Sequence, residues 1–85
     1  MRSPMLELRK SRKMSQNQLS MILGCSKGHL SDIESGAAIL RTEIIDALNK
    51  LGVDGWELNK QHEVFMKEKR ESLERMFKEM ATKTQ

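Results

Sequence analysis

Residues 16–33, QNQLSMILGCSKGHLSDI, contain the pattern that decides the fold. Apolar residues recur there at three- and four-residue steps on both sides of Gly24, which predicts two short helices joined by a sharp turn. Glycine suits such a turn because it adopts positive φ without strain. Ser20 is small enough for the point where the helices cross. Four larger side chains are predicted to close the wedge between them: Leu19, Leu23, Leu30 and Ile33.

The second of these helices would present a polar outer face. Ser26 is a capping residue, so we expect the helix to begin at Lys27 and to end at Ser35-Gly36. The helical period leaves four residues outside, near the positive N-terminal end: Lys27, Gly28, Ser31 and Asp32. A helix exposed in this way can enter the major groove of DNA.

The flanking residues predict further helices. Ser3 and Pro4 form a start signal for a first helix that runs to about Arg12, and Ser15 would cap the helix that begins the quoted stretch. After a connector, residues 37–41, whose first four residues are apolar, we expect Thr42 to cap a fourth helix that Gly52 closes. The apolar positions of that helix are Ile44, Ile45, Leu48 and Leu51.

A long amphipathic helix is predicted after Asp54, which has capping-box spacing to Glu57. The helix is predicted to run to about Ala81, and its apolar stripe is interrupted by His62, which we interpret as a tolerated polar group at an interface. The first part of the stripe would pack on the domain: Trp56, Leu58, Phe65 and Met66. The distal part would extend past a small domain, since the helix is ~40 Å long, and is predicted to form a dimer. It comprises Leu73, Met76, Phe77 and Met80.

Composition restricts the possible classes. The 85 residues leave room for a helix-turn-helix domain at 1–53 and a dimerisation helix with a frayed tail at 54–85. No apolar run approaches the ~18 residues of a membrane span, and no signal peptide is visible. We interpret the single cysteine, Cys25, as a small core residue. No residue constellation predicts catalysis, a metal or a cofactor, so we expect no enzyme.

Positive charge is concentrated in the first part of the chain. Eight basic and five acidic side chains lie before Asp54, whereas seven of each follow from there. Four of the basic residues form a cluster: Arg9, Lys10, Arg12 and Lys13. Such a distribution suits a polyanionic partner, although a basic run alone is more often a solvated face.

The stretch MSQNQLSMILGCSKGHLSDIESG (residues 14–36), with LRKSRK before it and ALNKLGV after it, resembles the Cro/C1-type helix-turn-helix family of phage and bacterial regulators. The resemblance covers about Leu6 to Val53. It implies an all-α, lambda-repressor-like domain of four short helices, here followed by the long C-terminal helix. It also implies a cytoplasmic protein that is associated with the nucleoid when bound to DNA.

Family roles carry over to matching positions. Gln16 matches a glutamine that contacts a backbone phosphate, and Arg9 and Glu34 match an ion pair that ties the first helix to the end of the third. Base-contacting residues would be Lys27, Gly28 and Asp32, with Ser31 on the same face. Further phosphate contacts are expected at Ser26, His29, Arg41 and Thr42. Lysine can donate to guanine and aspartate can accept from cytosine.

Two functions from different classes fit this pattern. The first is a sequence-specific repressor that binds double-stranded DNA as a homodimer at a near-palindromic operator. The alternative is a protein-binding module, in which the apolar connector and the distal stripe bind a toxin, a replication factor or another regulator. No sensor domain is predicted, so control would come from concentration, proteolysis or an antagonist protein.

Overall fold

The computed structural model describes the backbone of residues 1–83 and the side chains through residue 80. This part of the chain contains no strand and folds into five helices: α1 (Pro4–Ser11), α2 (Gln16–Leu23), α3 (Lys27–Ser35), α4 (Thr42–Lys50) and α5 (Gly55–Lys83). The predicted all-α fold, a helix-turn-helix domain followed by one long helix, is confirmed. The end of the predicted frayed tail, residues 84 and 85, lies outside the described residues.

Serine side chains start the first three helices. Ser3, Ser15 and Ser26 each accept a hydrogen bond from the backbone N–H three residues later, at 3.4, 3.1 and 3.0 Å. Each bond satisfies a backbone donor that the first turn of a helix leaves free. The prediction of a cap at Thr42 was wrong, because the extended backbone that precedes α4 belongs to Arg41, which makes no side-chain cap. Thr42 is instead the first residue of the helix.

A residue with left-handed backbone follows each of the first four helices. After α2, α3 and α4 these residues are Gly24, Gly36 and Gly52, with φ of +74°, +86° and +85°. After α1 the left-handed residue is Lys13, with φ of +56°, and it is the only non-glycine residue of this kind in the described part of the chain. Residue types alone did not predict this position.

The wedge between α2 and α3 is closed as predicted. Ser20, at the crossing of the two helices, is also buried. The four wedge residues are at most 5% exposed: Leu19, Leu23, Leu30 and Ile33. Two other apolar residues, Ile22 and Leu51, are 48% exposed and border an open groove with Arg12.

The first half of α5 is part of the domain core. Leu58 and Phe65 are buried, and His62 is fully buried. The interpretation of His62 as a tolerated interface group was wrong, because its Nε2–H donates to the carbonyl of Ala38 at 2.8 Å and so fixes the connector. Trp56 was expected to pack on the domain but is 56% exposed. It lies two residues from Leu58, which places it on the opposite side of the helix.

The second half of α5 extends beyond the domain. The molecule measures 52 × 23 × 21 Å, and every side chain from Lys67 to Met80 is exposed. The four residues of the distal stripe are 54–74% exposed: Leu73, Met76, Phe77 and Met80. None of the described helices has the length and apolar character needed to cross a membrane.

Candidate nucleic-acid interface

The N-terminal half of α3 presents a polar surface backed by the core. Leu30 and Ile33 are fully buried and hold the helix from behind. Four residues are exposed on its other side: Lys27, Gly28, Ser31 and Asp32. Within the described part of the chain, the Lys27, Ser31 and Asp32 side chains make no hydrogen bond or ion pair. Their donors and acceptors are therefore free for an external partner.

The chemistry of this face suits the edges of base pairs. The lysine ammonium carries three hydrogen-bond donors, the aspartate carboxylate carries only acceptors, and the serine hydroxyl can do both. Together they match the acceptors and the donors that base pairs present in the grooves. Gly28 leaves the backbone accessible between them. Glycine inside a helix costs about 1 kcal/mol relative to alanine, yet a Cβ at Gly28 would meet nothing within 4 Å. The fold of the described chain therefore does not require this glycine.

An ion pair fixes α3 against α1. Arg9 Nε and Nη2 donate to the two carboxylate oxygens of Glu34 at 2.8 and 3.1 Å, and Arg9 Nη1 donates to the Met14 carbonyl at 3.0 Å. The side chains of Arg9 and Glu34 are only 17% and 6% exposed. The hydrogen bond to Glu34 raises the pKa of Arg9 further above its already high ordinary value, so the guanidinium stays charged.

Gln16, at the start of α2, joins the same network. Its Nε2 donates to Glu34 Oε1 at 3.0 Å, an interaction that the sequence did not predict because the two residues are distant in the chain. A second amide hydrogen of Gln16 remains for a phosphate oxygen. The Glu34 carboxylate thus holds together the start of α2 and the ends of α1 and α3.

The other residues expected at phosphates lie at helix starts. Ser26 is exposed and its hydroxyl oxygen already accepts the capping bond, which leaves its O–H to donate. His29 is half-buried, and its Nε2 is covered and lacks a partner among the described residues, so this atom is not available to a phosphate in the observed conformation. Arg41 and Thr42 are exposed where the connector enters α4.

Packing explains why the connector is apolar. Leu40 is 5% exposed and belongs to the core, and Ala38 packs against it while its carbonyl accepts the bond from His62. Ile39 is different, since it is 65% exposed. His62 was missed as an anchoring residue, although its spacing of four from Leu58 and three from Phe65 already placed it on the buried face of α5.

Cys25 follows the turn between α2 and α3 and is half-buried beside the core. Burial raises the pKa of its thiol, which disfavours the reactive thiolate. No group of three or more potential metal ligands occurs among the described residues. The side chain is therefore best understood as a packing residue of the turn.

Comparison with known families agrees with this geometry. A family model described as Helix-turn-helix matches residues 5–54, from the second residue of α1 to the residue before α5. No curated protein and no solved structure matches the chain significantly. The matched region contains the closed wedge, the network around Glu34 and the free face of α3. The matched family is one of DNA-binding regulatory domains. The chain therefore belongs to the Cro/C1-type helix-turn-helix family of DNA-binding regulators.

Proposed function

We propose that this protein is a repressor that binds a near-palindromic operator as a homodimer. In this proposal residues 1–53, with the first half of α5 packed on them, bind DNA, and the distal half of α5 joins the two copies. The observation that carries it is the polar face of α3, which is free of partners within the described chain while its opposite side is locked in the core. A rigid helix with unpaired donors and acceptors is suited to direct readout in a major groove.

Roles within the interface follow from the chemistry of each position. Lys27 would donate to a guanine, Asp32 would accept from a cytosine, and Ser31 would contact the neighbouring edge. Gly28 would let the helix backbone approach the bases closely. Phosphate contacts fix register and orientation without reading sequence. We assign them to Gln16, Ser26, Arg41 and Thr42, and to His29 through its Nδ1, since its Nε2 is covered.

The distal half of α5 supports the dimer. Its exposed stripe of large apolar side chains would remain in water in a single copy, although burial favours each by about 1.5–3 kcal/mol. Lys69 interrupts the stripe, so we expect a short antiparallel or crossing helix pair instead of a long parallel coiled coil. Two copies joined in this way would present two recognition helices to successive major grooves, ~34 Å apart.

Selection of binding sequences from a random duplex library tests the proposal directly. We expect the full chain to enrich an inverted repeat and to protect a matching site in the DNA upstream of its own gene.

Asp32→Asn should change the preferred base at one position of each half-site, because an amide also donates where a carboxylate only accepts. Lys60→Gln, on the exposed side of α5, is the matched control and should enrich the same repeat. Equal affinity for all sequences would contradict the proposal.

A protein-binding module is the second candidate. It is favoured by the exposed Ile39 in the connector and by the exposed stripe of α5, which together offer apolar surface to an antagonist, a toxin or a replication factor. This candidate predicts a full chain that is folded and monomeric and has no affinity for any duplex. The same library selection and a sedimentation experiment therefore distinguish the two functions.

A further inference from the structure

The left-handed position that ends α1 is occupied by a lysine, whereas the equivalent positions after α2, α3 and α4 are glycines. A residue with a Cβ is disfavoured at positive φ because the Cβ crowds the following carbonyl oxygen. The left-handed backbone closes the end of α1, since Lys13 N–H donates to the Lys10 carbonyl and Met14 N–H to the Arg9 carbonyl, but neither bond uses the lysine side chain. The Lys13 side chain is exposed and makes no hydrogen bond or ion pair with any described residue. Backbone strain of this kind concentrates at functional sites.

The charge around Lys13 is uniformly positive in sequence. Between Glu7 and Asp32 the chain carries no acidic residue. The same stretch contains five basic residues: Arg9, Lys10, Arg12, Lys13 and Lys27. Glu34 neutralises Arg9, and the other four make no ion pair within the described part of the chain. A concentration of free cations on one segment attracts a polyanion.

The turn that carries Lys13 is held in place relative to α2. Lys13 N donates to the Lys10 carbonyl at 3.0 Å, and Met14 is bonded to Arg9 through both its N–H and its carbonyl. Arg9 in turn binds Glu34, which also accepts from Gln16. Lys13 is three residues from Gln16, so their Cα atoms lie within about 11 Å of each other. The network therefore keeps a free ammonium close to the start of α2.

We propose that Lys13, with Lys10 one turn before it, forms a phosphate-binding subsite for the DNA backbone beside the bases that α3 reads. The subsite rests on the proposed function, since it places α3 in the groove. Its ligand is the phosphodiester itself, so it contributes affinity without sequence preference. The strained backbone is retained because a glycine at this position would relieve the strain but remove the cation.

Two substitutions of Lys13 separate strain from charge. Lys13→Gly removes both, so the full chain should melt a few degrees higher yet bind DNA less well. Lys13→Gln removes only the charge, so it should weaken binding equally without raising the melting temperature. Lys60→Gln removes an exposed lysine from α5 and should change neither property. Lys10→Gln should weaken binding in the same way as Lys13→Gln.

Fluorescence anisotropy gives the readout, with the selected operator and with a short duplex of unrelated sequence, each measured over a series of KCl concentrations. Loss of one phosphate contact makes the slope of log K against log[KCl] shallower by ~0.9, where K is the association constant. At ~0.1 M salt this corresponds to about eightfold weaker binding for each protomer bound. Circular dichroism checks that each variant is folded. If the unaltered protein binds no duplex, the proposed function itself fails. If it binds and both Lys13 variants keep its salt dependence, or lose affinity for one sequence only, the subsite is overturned.

Discussion

At the scale of single residues, Glu34 connects the fold to the interface. Its carboxylate accepts two hydrogen bonds from Arg9 and one from Gln16 while remaining 6% exposed. A carboxylate so shielded from water must have partners, because an unpaired buried charge is strongly destabilising. The same side chain therefore stabilises the domain and orients the residue expected to contact a phosphate at the start of α2.

Replacing Arg9 by alanine should destabilise the domain by about 2–4 kcal/mol, because Glu34 would lose its charged partner. Glu34→Ala should also be costly, and the double variant should be less destabilised than the sum of the two single effects. Thermal melts of the three variants measure this coupling. Arg9→Lys, which keeps the charge but not the two-point geometry, should fall between the unaltered protein and Arg9→Ala. If the two single losses of stability add up to that of the double variant, the interaction energy between Arg9 and Glu34 is zero.

Lys27 lies in the exposed first turn of α3, so its loss should affect recognition more than stability. Lys27→Ala should reduce affinity for the selected operator by about 1–3 kcal/mol and relax the preference at one base position. Binding titrations on the operator and on duplexes altered at that position measure the effect, with Lys60→Ala as the control for removal of one positive charge. An equal loss on every sequence would make Lys27 a phosphate contact.

At the scale of elements, the serine-capped helix starts were predictable, whereas the start of α4 and the places of Trp56 and His62 on α5 were misassigned. Caps at Ser15 and Ser26 act within three residues, so local sequence determines them. The wedge and the exposed face of α3 followed from the helical period for the same reason. The buried side of α5 was predicted correctly at Leu58 and Phe65, and the same helical period could have placed Trp56 outside and His62 inside. What local sequence does not indicate is the partner of His62, because the Ala38 carbonyl lies 24 residues away in the chain. The bond of Gln16 to Glu34 likewise spans two helices.

The contact between the end of α3 and α5 can be tested at two matched glycines. Gly36 and Gly52 have nearly the same φ, +86° and +85°, but a Cβ at Gly36 would lie 3.1 Å from Phe65 Cε2, whereas one at Gly52 would meet nothing within 4 Å. Alanine at Gly52 should cost about 1–2 kcal/mol through its backbone alone. Alanine at Gly36 should cost at least ~1 kcal/mol more, through displacement of the Phe65 ring.

Thermal denaturation followed by circular dichroism measures both glycine variants. For a domain of this size a difference of about 1 kcal/mol corresponds to roughly 4–8 °C in Tm. Phe65→Leu should reduce the extra cost at Gly36 without changing the cost at Gly52, because the shorter side chain makes room for the added methyl group. Equal losses at the two glycines would show that the ring moves aside freely and that α5 is not held against α3 at this point.

At the scale of the whole molecule, the proposed dimer depends on the length of α5. Leu58, His62 and Phe65 anchor its first half in the core, and the N-terminal ammonium lies 3.4 Å from Glu68. The helix then leaves the domain with its apolar stripe exposed. The sequence indicated this arrangement correctly, because the helix predicted to run to about Ala81 is already longer than a domain whose other helices have eight or nine residues. The observed α5 has 29 residues. In the proposed dimer a second copy covers the stripe.

A chain that stops after Arg70 tests whether the stripe makes the dimer. It loses Leu73, Met76, Phe77 and Met80 but keeps every buried residue of α5, so it should remain helical and cooperative in its melting. The full chain should sediment as a dimer at micromolar concentration and the shortened chain as a monomer.

Because a dimer binds both half-sites at once, the shortened chain should bind the palindrome far more weakly yet bind an isolated half-site as well as before. The full-length variant Leu73→Glu/Phe77→Glu controls for chain length and should also be monomeric, since two carboxylates cannot be buried unpaired in the interface. A full chain that sediments as a monomer would assign the stripe to a different partner and favour the protein-binding module.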